Sequence, residues 1–73
     1  MIKEIWGQRI KELRKEEGLT QTELANATGL SQSAITAWEV GTNSPTANAI
    51  VILAEYFGVT TDYLLGLSDK RVF

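Results

Sequence analysis

The segment from Thr20 to Trp38 constrains the fold of this chain more than any other feature of its sequence. Thr20 is followed three residues later by Glu23, the spacing of a capping box, in which each side chain satisfies a backbone N–H at a helix start. Gly29 supplies a residue that readily adopts the left-handed conformation at a helix end. Ser31 is then an N-cap for a second helix. The segment therefore predicts two short helices joined by a tight turn.

The second of these helices is predicted to have an apolar face and a polar face. Ile35 and Trp38 lie three residues apart, so they share one face and are expected to be buried. The polar residues left facing outward are Gln32, Ser33 and Thr36. This is the arrangement of a helix-turn-helix, in which the second helix presents its polar residues to the DNA major groove.

Apolar spacing and helix-ending residues predict three further helices, which gives a compact all-α, five-helix domain. The first is expected from about Lys3 to Glu17, with a buried stripe at helical spacing. The fourth is expected from about Thr46 to Phe57, with Pro45 suited to its first turn. The fifth is short and ends near Gly66. The buried stripe of the first helix consists of Trp6, Ile10 and Leu13.

Length and composition exclude several classes of protein. A chain of 73 residues is one small domain, residues 1–73, with the helix-turn-helix at about 20–39 and a short tail at 67–73. There is no cysteine and no histidine, so the usual metal ligands and general bases are missing. No nucleophile–base arrangement or glycine-rich loop is present either. We therefore expect no enzyme, no cofactor, no metal site and no small-molecule ligand.

Hydrophobicity along the chain argues against a membrane protein. No apolar run approaches the roughly 18 residues of a membrane-spanning helix, and the N-terminus does not have the pattern of a signal peptide. The expected compartment is the cytoplasm.

Several segments, in this order and at these spacings, resemble one known family over residues 6–66. They are Arg9-Ile10-Lys11-Glu12-Leu13-Arg14, Leu19-Thr20-Gln21-Thr22-Glu23-Leu24-Ala25, Trp38-Glu39-Val40-Gly41, Pro45, and Asp62-Tyr63-Leu64-Leu65-Gly66. The chain is similar to the lambda-repressor/Cro-like (Xre-type) helix-turn-helix family of bacterial and phage regulators. The resemblance implies a lambda-repressor-like DNA-binding domain and a sequence-specific regulator of transcription, expected to be a repressor, that binds double-stranded DNA. It also implies a bacterial or phage-type system in which the protein is associated with the nucleoid.

By this resemblance, four residues of the third helix are base-reading positions: Gln32, Ser33, Thr36 and Ala37. A glutamine amide offers a donor and an acceptor side by side, which matches the N6/N7 edge of adenine. Ser33 can bond to several bases, and Thr36 could place its methyl group against thymine. Ala37 is small enough to let the helix lie deep in the groove.

The resemblance also assigns contacts to the DNA backbone. Gln21 is expected to meet a phosphate and to brace Gln32 through an amide pair. The loop after the third helix is expected to touch the backbone as well, and its residues are Thr42, Asn43 and Ser44. Val40 and Thr42 stand where relatives often carry polar or basic residues, which removes sources of phosphate affinity.

Arg14 and Glu39 are expected, again by resemblance, to form an ion pair that ties the first helix to the end of the third. Such a pair would fix the angle at which the third helix is presented. The alternative for Arg14 is a direct contact with a DNA phosphate.

The distribution of charge leaves a second function open. The formal net charge is −2, and from Glu16 to Asp69 there are seven acidic residues and no basic one. The third helix therefore has no lysine or arginine to hold guanine or phosphate, and DNA binding should depend only weakly on salt. The alternative is a protein-interaction module, an adaptor or antitoxin-like subunit, that keeps the fold without strong DNA binding. A further possibility is part of a longer regulator.

A homodimer is expected because one domain of this size buries limited surface on DNA. Two reading helices about 34 Å apart would then match a roughly palindromic operator. The tail at 67–73 is either left over from a truncation or packed against the partner. The candidate dimer contact consists of Tyr63, Leu64, Leu67 and Phe73.

Overall fold

The computed structural model describes residues 5–73, which form five α-helices and no strand. The helices are α1 (Ile5–Glu16), α2 (Gln21–Thr28), α3 (Gln32–Val40), α4 (Ala47–Phe57) and α5 (Thr61–Leu65). The predicted all-α, five-helix class is confirmed. The expected start of the first helix near Lys3 lies outside the described residues, and α1 ends at Glu16, one residue earlier than predicted.

Side-chain caps determine where α2 and α3 begin. The Thr20 hydroxyl accepts a hydrogen bond from the backbone N–H of Glu23 at 3.0 Å, and the Glu23 carboxylate accepts one from the backbone N–H of Thr20 at 2.8 Å. This is the predicted capping box in both directions. Ser31 caps α3 by accepting from the backbone N–H of Ala34 at 3.3 Å. Both helix starts of the motif were therefore predictable from local sequence.

The start of α4 differs slightly from the prediction. Thr46 is the N-cap and not a helical residue, because its hydroxyl accepts a hydrogen bond from the backbone N–H of Ala49. Pro45 accordingly precedes the helix and does not lie in its first turn.

Every helix contributes to a single hydrophobic core. Five side chains are fully buried, one from each helix: Ile10, Leu24, Ile35, Leu53 and Leu64. Burying a side chain of this size stabilises the fold by about 1.5–3 kcal/mol relative to leaving it in water. Trp38 is 6% exposed and Trp6 is 8% exposed, so both tryptophans are core residues. Helix α5 has only five residues, so its position depends on the side chains that it buries in this core.

Helix α1 packs unusually closely against the end of α3. A Cβ atom placed on Gly7 would lie 2.0 Å from the carbonyl oxygen of Trp38, so any side chain there would force the two helices to shift. The close approach positions the C-terminal end of α3 against α1.

None of the described helices is long and apolar enough to cross a lipid bilayer.

The tail after α5 folds back onto α1. The guanidinium of Arg9 donates to the carbonyl oxygen of Ser68 at 2.7 Å and to the Asp69 carboxylate at 2.9 Å. Arg71 donates two hydrogen bonds to Glu16, at 2.8 and 2.7 Å. The tail is therefore held against the folded domain as far as Arg71 by contacts within the chain.

Candidate nucleic-acid interface

The turn between α2 and α3 is closed by local hydrogen bonds. Gly29 has φ +75°, and its N–H donates to the carbonyl oxygen of Ala25 at 2.9 Å. Left-handed backbone of this kind favours glycine, since a side chain would be strained there. Leu30 then packs against the core. The turn directs the start of α3 outward, where Gln32 and Ser33 are both exposed.

The four base-reading candidates fall into two pairs. Gln32 and Ser33 lie side by side in the first turn of α3 with open surroundings. The Ser33 hydroxyl lies 2.9 Å from that of Ser31, the N-cap. Thr36 and Ala37 lie one turn further along and are half-buried. The exposed pair can reach a base edge directly, whereas the second pair can present only part of each side chain.

Gln21 does not form the expected amide pair with Gln32. Its Nε2 donates to Glu39 Oε1 at 3.0 Å, and its Oε1 accepts from the Thr36 hydroxyl at 2.6 Å. An ionised carboxylate is a stronger acceptor than a neutral amide, so the Gln21 amide turns toward Glu39. The expected amide pair is therefore wrong, and Gln21 makes no side-chain hydrogen bond to Gln32.

Arg14 and Glu39 form a two-pronged ion pair between α1 and α3. Arg14 Nε donates to Glu39 Oε2 at 2.7 Å and Nη2 donates to Oε1 at 2.9 Å, while Nη1 donates to the carbonyl oxygen of Leu19 at 2.8 Å. The side chains are only 11% and 3% exposed. Arg14 is thereby occupied, and the alternative in which it contacts a phosphate is not favoured.

The environment of this pair shifts both pKa values. Burial by itself would raise the pKa of Glu39, but the hydrogen bonds from Arg14 and Gln21 outweigh it and hold the pKa below its ordinary value. The hydrogen bond with Glu39 in turn raises the pKa of Arg14. Glu39 is therefore ionised at neutral pH and acts only as an acceptor.

The loop after α3 is exposed at Thr42, Asn43 and Ser44. Thr42 uses both its donors at the end of α3, because its backbone N–H and its hydroxyl each donate to the carbonyl oxygen of Ala37, at 3.0 and 3.3 Å. Within the described part of the chain, the side chains of Asn43 and Ser44 have no hydrogen-bond partner. These two are therefore the loop side chains best able to meet a phosphate.

Two of the four candidate dimer residues are inside the domain. Tyr63 is 7% exposed and Leu64 is fully buried, so neither is available to a second copy. The cause is the cap at Thr60, which starts α5 so that both residues face the core. The ring of Tyr63 is also covered by the guanidinium of Arg9, 4.1 Å from the ring centroid. Leu67 and Phe73 are exposed, as is Val72 beside them.

Nothing in the sequence predicts the hydrogen bond between Thr36 and Gln21. The family resemblance assigns Thr36 to a base, and it assigns Gln21 to a phosphate and to Gln32. Only the crossing of α2 over α3 brings the two side chains together. Arg9 was likewise missed as the residue that fastens the tail, because its partners follow it by 54 to 60 positions.

Comparison with known proteins agrees with this geometry. A family model described as helix-turn-helix matches residues 10–64. The HTH-type transcriptional regulator YobD of Bacillus subtilis is 39% identical over 62 residues, which are 85% of this chain and 55% of the relative. The cryptic phage CTXphi transcriptional repressor RstR of Vibrio cholerae is 32% identical over 68 residues, 93% of this chain and 61% of the relative. The chain thus spans little more than half the length of these curated relatives.

A solved structure is similar over nearly the whole domain. The P22 c2 repressor, crystallised in complex with the synthetic operator 9T, superimposes with a TM-score of 0.80 at 30% sequence identity. The match covers 88% of this chain and 97% of that one. The chain therefore belongs to the lambda-repressor-like (Xre-type) helix-turn-helix family, a family of DNA-binding transcriptional regulators and not of enzymes.

Proposed function

We propose that this chain is a sequence-specific regulator of transcription, acting as a repressor, that binds duplex DNA with α3 in the major groove. The observation that carries the proposal is the exposed polar start of α3, where Gln32 and Ser33 project from a capped helix-turn-helix. The similarity to an operator-bound repressor supports the same orientation of α3. The target of such a protein is a bacterial or phage genome.

Base reading would rest mainly on Gln32. Its amide is not used by Gln21, so donor and acceptor are both available for the N6/N7 edge of adenine. Ser33 adds a hydroxyl that bonds to several bases and contributes contact more than discrimination. Ala37, beside them, is small enough for α3 to approach the base pairs closely.

Phosphate binding would depend on neutral donors. The first turn of α2 presents backbone N–H groups and the positive end of the helix dipole. Asn43 and Ser44 add side-chain donors from the loop after α3. Glu23 lies in the first turn of α2, and its charge opposes a phosphate there. The electrostatic part of the affinity should therefore be small.

A homodimer would double this limited contact area. The exposed apolar residues Leu67, Val72 and Phe73 all belong to the tail at 67–73 and are the contact that we propose. Leu67→Asp and Phe73→Asp should each shift the protein from dimer to monomer in sedimentation velocity at micromolar concentration. Val51→Asp, at an exposed apolar position of α4, is the matched control. A dimer that survives both tail substitutions would place the interface elsewhere.

The function is tested by selection from a random duplex library at low salt. Wild-type protein should enrich a roughly palindromic sequence, which a Gln32→Ala/Ser33→Ala double variant with an unchanged melting temperature fails to enrich. If folded wild-type protein enriches no sequence, the proposal is wrong, and the protein-interaction module becomes the better reading of the acidic segment from Glu16 to Asp69.

A further inference from the structure

The amide of Gln21 is held from two sides by side chains of α3. Glu39 accepts from its Nε2 at 3.0 Å, and Thr36 donates to its Oε1 at 2.6 Å. Glu39 is itself fixed by Arg14 of α1. We refer to the pair Glu39 and Thr36 as the Gln21 clamp. Through the clamp, the first residue of α2 is tied both to α3 and to α1.

The direction of each hydrogen bond in the clamp follows from the chemistry of its members. An ionised carboxylate only accepts, so the NH₂ group of Gln21 must face Glu39. The carbonyl oxygen of Gln21 must then face Thr36, and the Thr36 hydroxyl must be the donor. The orientation of the amide is therefore determined by the charge on Glu39, without ambiguity between its oxygen and nitrogen.

Two consequences follow for binding to DNA. One hydrogen of the Gln21 NH₂ group is used by Glu39, and the other has no acceptor among residues 5–73. The hydroxyl hydrogen of Thr36 is occupied by Gln21, and its nearest other acceptor is the carbonyl oxygen of Gln32 at 3.0 Å. Gln21 thus keeps one donor in a fixed direction, while Thr36 has no donor left for a base.

We infer that Thr36 is a positioning residue that acts through Gln21: it aims the remaining amide hydrogen at a DNA phosphate and contributes to affinity for any duplex. This inference rests on the proposed function. It gives the Thr36 hydroxyl a role in supporting a phosphate contact, and it leaves the methyl group for the thymine contact expected from the family resemblance.

Two substitutions separate the hydroxyl of Thr36 from its methyl group. Thr36→Val keeps a branched, methyl-bearing side chain of the same shape and removes the hydroxyl. Thr36→Ser keeps the hydroxyl and removes the methyl group. Each is made in the wild-type chain and in a Gln21→Ala chain, and each is titrated with the selected operator and with an unrelated duplex. Thr36→Ala replaces T36V if T36V does not fold.

We expect T36V to weaken binding to both duplexes by a similar factor, about three- to tenfold, as for the loss of one net hydrogen bond. Its base preference in the library selection should be unchanged. In the Gln21→Ala chain, T36V should cause no further loss. T36S should bind the unrelated duplex within about twofold of wild type. A loss by T36V that persists in the Gln21→Ala chain, or that is confined to the selected operator, would overturn the inference.

A measurement on the free protein tests the clamp without DNA. The side-chain amide protons of Gln21 should have chemical shifts displaced from those of the exposed Gln32 in wild type and T36S, and should move toward the Gln32 values in T36V. Shifts in wild type that equal those of Gln32 would reject the clamp whatever the DNA result. Displaced shifts in a wild type that binds no duplex would mean that the proposed function has failed, and with it the role given to Thr36.

Discussion

At the scale of single residues, Gly7 is the position where a side chain is least tolerable. Alanine normally favours a helix interior over glycine by about 0.5–1 kcal/mol. Here a Cβ atom would lie 2.0 Å from the carbonyl oxygen of Trp38, so α1 and α3 would have to move apart. We expect Gly7→Ala to lower the free energy of unfolding by about 1–3 kcal/mol. Urea denaturation should show this loss, with Gln8→Ala as the exposed control in the same helix. A Gly7→Ala protein as stable as wild type would mean that the helices are less closely packed.

A second residue-scale prediction concerns Glu39, whose pKa is lowered in the folded state. A carboxyl group of this kind stabilises the fold above its unfolded pKa, and the contribution is lost as the pH falls through the lower folded pKa. Glu39→Gln should therefore cost about 1–3 kcal/mol of unfolding free energy at pH 7. The difference from wild type should shrink as the pH falls from about 5 toward 3. Urea denaturation across that range checks this, with Glu55→Gln as an exposed control; curves that stay parallel would contradict it.

At the scale of elements, α2 shows how much a short helix depends on its ends. It has only eight residues, and two of its side chains face the core. Isolated helices of this length are not stable in water. Thr20→Ala should lower the free energy of unfolding by about 1 kcal/mol because the N–H of Glu23 loses its partner. Thr22→Ala, in the same turn and exposed, should change it little. Equal effects of the two substitutions in thermal denaturation would show that the capping box contributes nothing here.

At the scale of the whole molecule, the arginines of the described chain are used internally. Arg9, Arg14 and Arg71 are paired with Asp69, Glu39 and Glu16 respectively. The cations that remain within residues 5–73 are Lys11, Lys15 and Lys70. Each phosphate neutralised contributes about −0.9 to the slope of log affinity against log salt, so these three lysines should contribute no more than about −3 to the slope per domain.

A substitution in the loop after α3 tests this account of charge. Thr42→Lys should steepen the salt slope by about 0.9, because it would add one phosphate contact. Glu55 lies in the C-terminal half of α4. Glu55→Gln raises the net charge by the same amount and should leave the salt slope unchanged. If both variants steepen the slope equally, net charge and not a local contact determines it.

What the sequence determined by itself is the set of elements, the starts of α2 and α3, and the turn between them. The capping box at Thr20, the N-cap at Ser31 and the glycine at position 29 act within one turn of backbone, so local chemistry decides them. Apolar residues at helical spacing likewise identified Ile35 and Trp38 as core before any packing was known. The ion pair of Arg14 and Glu39 came from family resemblance, since nothing local relates residues 25 positions apart.

What only the tertiary structure decided is which polar groups meet across helices. Gln21 could have bonded to Gln32, but the crossing of α2 and α3 brings the charged Glu39 and the hydroxyl of Thr36 within reach instead. Tyr63 and Leu64 could have been surface residues, but the direction in which α5 leaves Thr60 turns them into the core. Arg9 fastens a tail that begins more than 50 residues later. Such contacts depend on the relative orientation of whole helices, a property that no stretch of sequence encodes locally.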